Sequence, residues 1–296
     1  MAKRRTTWTM LVALLLAFAM LAAACGSDDE ATGPTAEEGS CDIADLNLVT
    51  AGTLTVATGE PAFPPWVGTT DGEGFDDPTS KLGFESGLVY AIAGELGFAD
   101  ADVVWTRIGF NEAIAPGDKP WDFNLQQYSI TEEREEVVDF SSPYYVTRQA
   151  LVLYPESPFV SATTVEDLKD AVLGAQIGTT SLDFIEEVIK PNTEPNVYDE
   201  NVDLEAAMKA GQIDGLVMDL PASYYVTAVQ LEGAIIAGQF ETEAADPDEY
   251  GLLFADGNPL VACVNSALET LKSNGTLQEL EDTYLTQGGG IPTITG

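Results

Sequence analysis

One arginine stands among acids in residues 129–145, "SITEEREEVVDFSSPYY": five carboxylates surround Arg134. A guanidinium stays charged and presents a planar fork that fits a carboxylate through two parallel hydrogen bonds. Arg134 is therefore either a surface cation with helical ion pairs or the receptor for an anion that a ligand brings. A second anion site is offered by "IGTTSLDF", where Gly178, Thr179 and Thr180 lie between a strand and a helix. Free N–H groups at a helix start attract negative charge, and simple N-capping is the alternative reading. In "DGLVMDLPASYY", Asp219 ends a strand just before a proline-started helix. An acid there can cap the helix or meet an ammonium group. Two loops add aromatics: "GEPAFPPW" carries Glu60, Phe63 and Trp66, and "FNEAIAPG" opens with Phe110. Loop aromatics either pack or stack on a ligand. One arginine, one helix start, one strand-end acid and two loop aromatics together make a trap for a zwitterion.

These residues need elements to hold them. "TLTVAT" at 53–58 alternates and reads as a strand, and "FESGLVYAIAGELGF" places Phe84, Leu88, Val89, Ile92 and Leu96 at helical spacing. Further strands are predicted at 103–107, in "VVDFS", in "QALVLY", in "VLGAQIG" and in "DGLVMD". Helices are predicted after Thr164 as N-cap, over 179–189, over 202–210, from Pro221, along Leu260–Leu271, and from Thr276 to about Leu285. Strands that alternate with helices predict an α/β fold with mostly parallel sheets. The glycine-rich end at 288–296 reads as a flexible tail. No internal repeat, metal-ligand cluster, phosphate loop or nucleophile elbow is visible.

The ends and the composition narrow the class. Lys3, Arg4 and Arg5 precede an apolar run that closes on Leu21-Ala22-Ala23-Ala24-Cys25. This is a secretory leader over residues 1–24, too short for a membrane span of about 20 apolar residues. A cysteine just after small residues resembles the lipobox of bacterial lipoproteins, which implies cleavage before Cys25 and a lipid on its sulfur. Plain secretion with Cys25 free is the other reading. Residues 25–46 read as an acidic, disordered tether. An oxidising compartment favours a bridge between Cys41 and Cys263 over two buried thiols. The chain has 49 acidic and 12 basic residues and a formal charge of −37; loss of Lys3, Arg4 and Arg5 with the leader makes it −40. Such charge repels nucleic acid and anionic membrane surfaces and suits a salty habitat. The absence of histidine removes the commonest general base and lowers the prospect of catalysis.

The order "GTLTVAT…FPPW…GFESGLVYAIAGELGF…FNEAI…SITEEREEVVDFSSPYY…LGAQIGTT…GQIDGLVMD…YGLLF…NPLVACVNSALETLKSNGT" resembles the extracellular solute-binding proteins of polar amino-acid ABC importers, from about residue 50 to 285. The resemblance implies a two-lobed α/β fold of the type II periplasmic-binding-protein kind, with two hinge-crossing strands. It implies a first lobe from residues 47–147 and 249–287 and a second from 148–248. Arg134, helped by Thr180, then takes the ligand carboxylate. Asp219, helped by Ser129 and a backbone carbonyl near Gln127, takes the ammonium. Phe63 and Phe110 stack on the ligand, and Glu60 meets its side chain. The same resemblance implies a monomer that is no enzyme, needs no cofactor or metal, binds a polar amino acid outside the cytoplasm on a lipid anchor, and delivers it to a membrane permease. Gln126, Gln127 and Tyr128 depart from the small residues usual before "SIT", so the side-chain preference stays open. Two alternatives are a sensor that docks on a receptor and a cyclohexadienyl dehydratase-like enzyme on the same scaffold. The latter needs an extra acid or base over the ligand, and Glu60 is the one unexplained candidate.

Overall fold

The computed structural model describes residues 40–285 and 290–296. The leader, Cys25 and the tether up to residue 39 lie outside the described residues. In chain order the strands are β1 (Leu54–Thr58), β2 (Val103–Arg107), β3 (Phe123–Asn124), β4 (Val138–Phe140), β5 (Tyr145–Thr147), β6 (Gln149–Leu153), β7 (Leu173–Gln176), β8 (Asn196–Tyr198), β9 (Gly215–Asp219), β10 (Ile235–Glu241), β11 (Asp248–Tyr250), β12 (Leu253–Ala255) and β13 (Thr293–Thr295). The α-helices are α1 (Phe84–Glu95), α2 (Phe110–Ile114), α3 (Glu132–Glu135), α4 (Thr180–Phe184), α5 (Asn201–Lys209), α6 (Leu220–Tyr225), α7 (Leu260–Ser273) and α8 (Thr276–Tyr284).

The strands form two main sheets. One has the order β2-β1-β3-β12-β4 and the other β13-β10-β6-β9-β7-β8. Each sheet owns a core. In the first lobe, α7 buries Leu260, Cys263, Val264, Ala267, Leu268 and Leu271 along one face, at the spacing that the sequence shows. Each of these leucines and Val264 contributes about 1.5–3 kcal/mol when fully buried. In the second lobe, β6, β7 and β9 supply Leu151, Val152, Leu173, Ala175, Leu216 and Val217 to the core. Both faces of these strands are covered, so they read as apolar runs.

The chain crosses between the lobes on β5 and returns on β11, and these two pair antiparallel as a separate ribbon. The sheets are mixed rather than mostly parallel. β1 runs parallel to β2 and β3, and β7 parallel to β8 and β9. β6 and β12, which lie next to the crossings, run antiparallel to their neighbours β9, β10, β3 and β4.

Two expectations at the ends are corrected. Residues 40–46 are not tether: Cys41 is bonded to Cys263 of α7, and Ile43 and Leu46 pack half-buried on the first core. Nor is the described end of 288–296 a loose tail. Thr293–Thr295 forms β13, parallel to β10, with Ile294 fully buried in the second core. The strand fits because residue 238 is glycine at a bulge of β10. A Cβ there would overlap the Ile294 side chain. The helix expected over 179–189 is α4 followed by a π-helical turn at Ile185–Ile189.

Candidate ligand-binding site

A cavity of about 370 Å³ lies between the lobes. That is within the range of small-molecule sites. Glu60, Phe63, Phe110, Gln127, Ser129, Arg134, Thr180 and Asp219, all eight residues expected at the site, line it.

Arg134 is held by its surroundings. Thr131 caps α3 and accepts from the Arg134 backbone N–H at 3.2 Å, so the side chain leaves the first turn. Its Nη1 donates to the Ser129 carbonyl at 2.6 Å and its Nη2 to the Gly178 carbonyl of the other lobe at 2.9 Å. Guanidinium has five N–H donors, so three remain. The Phe110 ring lies 5.5 Å from Cζ and is itself stacked on Tyr128 at 4.8 Å. Burial pulls the guanidinium pKa down, while Asp248, Asp183 and Asp219 pull it up. Arginine remains protonated throughout, so the cavity keeps one fixed cation.

The second anion site divides between two threonines. Thr179 does the capping: its Oγ1 accepts from Leu182 N at 3.3 Å and donates to the Gln176 carbonyl at 2.7 Å. Thr180 lines the cavity, with its Oγ1 3.3 Å from Ser129 Oγ of the first lobe. The turn before it needs glycine. Gly178 has φ of +74°, and a Cβ there would strike the Asn111 side chain across the cleft.

Asp219 sits at the end of β9, opposite Gln149 in the ladder. Gln149 Nε2 donates to Asp219 Oδ1 at 2.7 Å. Loss of hydration in the closed cleft, added to the negative charge of Asp248, raises the Asp219 carboxyl to about 7, against the opposing effect of the Gln149 donor. The first-lobe wall is held by another acid. Gln127 has φ of +53°, and its backbone N–H and Nε2 both donate to Glu85 Oε1 and Oε2, at 3.0 and 2.5 Å. Tyr144 Oη also donates to Glu85, and burial raises this carboxyl to about 7. Gln126 packs against Gly59 and accepts from Tyr128 Oη at 2.8 Å. Phe63 touches Phe75 at 5.9 Å and, across the cleft, Tyr225 at 6.1 Å. Trp66 is 3% exposed and packs edge-on to Phe84, Tyr145 and Tyr250, so the loop tryptophan serves mainly the core.

Several lining residues escape sequence reasoning: Gln176, Ser181, Glu200, Asn201 and Met218. Glu200 and Asn201 begin α5 within the polar run "YDENVD", where nothing marks them out. Of the charges in the lining, Glu200 alone was not expected from the sequence. The charged lining comprises Arg134 against Glu60, Glu200 and Asp219.

The model of bacterial extracellular solute-binding proteins, family 3, matches residues 54–287. The chain belongs to this family. The L-cystine-binding protein TcyJ of Escherichia coli K12 is 27% identical over 237 residues, covering 79% of this chain and 82% of its own. An ancestral arginine-binding protein, solved bound to glutamine, is 30% identical with a TM-score of 0.66, covering 80% of this chain and 100% of its own. An ancestral arginine-binding protein bound to arginine gives 29% and 0.64, covering 79% of this chain and 98% of its own. This family member is thus an extracellular solute-binding protein with the two-lobed type II architecture, and the relatives named here are binding proteins.

Proposed function

We propose that the protein captures a polar amino acid with a cationic side chain between its lobes and passes it to a membrane ABC permease. The observation that carries this is the charge of the cavity lining, where one arginine faces three acids from both lobes. The ligand carboxylate pairs with the free donors of Arg134 and with the Thr180 hydroxyl. The ammonium pairs with Asp219, with Ser129 and the backbone beside Gln127 alongside. Phe63 and Phe110 flank the ligand, and Glu60 with Glu200 receives the side-chain cation. An ionised carboxylate in a closing cleft is costly unless paired, and a guanidinium or ammonium pairs it. The similar cystine- and arginine-binding proteins support an amino-acid ligand.

The protein works as a monomer without catalysis, outside the cytoplasm, on a lipid attached at Cys25. Residues 47–147 with 249–287 form the first lobe and 148–248 the second, and they close on the ligand. Calorimetry over the twenty amino acids tests this reading. Arginine or lysine binds tightest, and Arg134→Ala reduces affinity by about a hundredfold or more while the fold persists, since two charge-assisted hydrogen bonds are lost. Glu60→Gln narrows the gap between arginine and glutamine. Wild-type affinity in a folded Arg134→Ala protein sinks the site assignment, and tightest binding of neutral glutamine sinks the cationic preference.

A further inference from the structure

Gln149 is 4% exposed, lies outside the cavity lining and has no place in the reading above, yet it makes more polar contacts with the site than any residue around it. Its Nε2 donates to Asp219 Oδ1 at 2.7 Å and to Asp248 Oδ2 at 2.8 Å, with Thr180 Oγ1 at 3.5 Å. Its Oε1 accepts from Ser181 Oγ at 2.7 Å. We propose that Gln149 is a positioning residue for the ammonium half of the site: one buried amide fixes the Asp219 carboxylate at the cavity wall and joins it to the returning crossing strand. This rests on the reading of the cavity as an amino-acid site.

The ladder explains why one side chain reaches four partners. Gln149 is opposite Asp219 in the β6–β9 pairing, and Thr147, two residues earlier on the crossing, is opposite Asp248. Residues two apart on an extended chain share a face, which brings Asp248 to the same side as Gln149. The amide has one chemically consistent orientation. Ser181 can donate to an oxygen, and ionised carboxylates only accept, so the nitrogen must face the two acids. An amide nitrogen has two N–H groups, and the two carboxylates use both. The Asp219 carboxylate, held at Oδ1 by Gln149 and also accepting from the Tyr250 hydroxyl, lines the cavity and keeps lone pairs for an ammonium. The same bonds offset repulsion between Asp219 and Asp248, two like charges placed side by side in a poorly hydrated cleft. The other ionisable groups that act on Asp219 are Arg134, Tyr250 of β11 and Tyr145 of β5.

Gln149→Met keeps the length of the side chain and removes both donors. The test measures affinity of the mature protein for arginine, or for whichever amino acid the wild type binds tightest, and for the analogue of that ligand without its α-amino group. In Gln149→Met, affinity for the amino acid falls about tenfold or more, the scale of a lost hydrogen bond to a charge, and affinity for the analogue stays within about twofold. The pH below which amino-acid affinity declines also moves up, because the carboxylates lose their donor. Asp248→Asn moves that pH down by removing the neighbouring charge, and it supplies a second readout should Gln149→Met fail to fold. Equal losses for both ligands, an unchanged amino-acid affinity, or a pH profile unmoved in Asp248→Asn overturns the proposal. A wild type that binds no amino acid overturns the functional reading first. A wild type that binds, beside an unaltered Gln149→Met, overturns the role of Gln149 alone.

Discussion

Asp219 must be ionised to receive an ammonium, and loss of hydration in the closed cleft pushes its carboxyl up to about 7. Amino-acid affinity is therefore constant above neutrality and falls as pH drops below about 7, approaching tenfold per pH unit. Calorimetry from pH 8 to pH 5 checks this, and Asp219→Asn, which binds weakly, loses the dependence. Stability runs the other way. Asp219 and Glu85 both have folded values above their ordinary range, so each favours the fold at low pH and loses that contribution as pH rises through about 7. The ligand-free protein melts at a higher temperature at pH 5.5 than at pH 8, and saturating amino acid narrows the difference by replacing the proton on Asp219. A melting temperature that rises with pH over this window contradicts both assignments.

At the scale of elements, the crossing strands β5 and β11 are short and pair with each other, while across the cleft Ser129 meets Thr180 of α4 and Arg134 of α3 meets the Gly178 carbonyl. The lobes can thus swing about the ribbon while each core stays packed. A ligand that touches both walls shifts the balance toward closure by its extra affinity for the closed form. Small-angle scattering then shows a smaller radius of gyration with saturating ligand, and identical profiles with and without ligand contradict the hinge. Elements with strong periodicity were legible: α1, α7 and the apolar strands β6, β7 and β9 lie within about three residues of where spacing puts them. The cavity-lining positions of Arg134, Thr180 and Asp219 were legible too, Arg134 as a lone cation among acids, Thr180 and Asp219 as polar residues where a strand gives way to a helix. Gln149 was hidden, because it reads as the polar first residue of "QALVLY" and its partners lie 70 and 99 residues away. β13 was hidden too. Glycine and proline dominate "GGGIPTITG", and the single buried Ile294 gives no alternation to detect.

For the molecule as a whole, charge and one bridge weigh against each other. Three ion pairs, Lys81–Asp100, Arg107–Asp76 and Lys169–Glu166, are found among the described residues, so most acids meet no cation. Self-repulsion of this kind is screened as the Debye length falls from about 10 Å at 0.1 M salt to about 3 Å at 1 M. Melting temperature rises with NaCl over that range, and a flat or falling curve removes the charge from the account of stability. The Cys41–Cys263 bond, 222 residues apart in sequence, opposes the same tendency by limiting the unfolded chain. Its reduction lowers stability by up to about 5 kcal/mol, read from denaturant midpoints with and without reductant. The bond also decides where the two ends of the fold report from. Cys41 anchors the start of the described chain to the first lobe, and β13 seats the last residues beside β10 as the edge strand of the second. A donor dye at the N-terminal end and an acceptor after Gly296 therefore ride on opposite jaws, and energy transfer between them turns the protein into an optical gauge of its own occupancy.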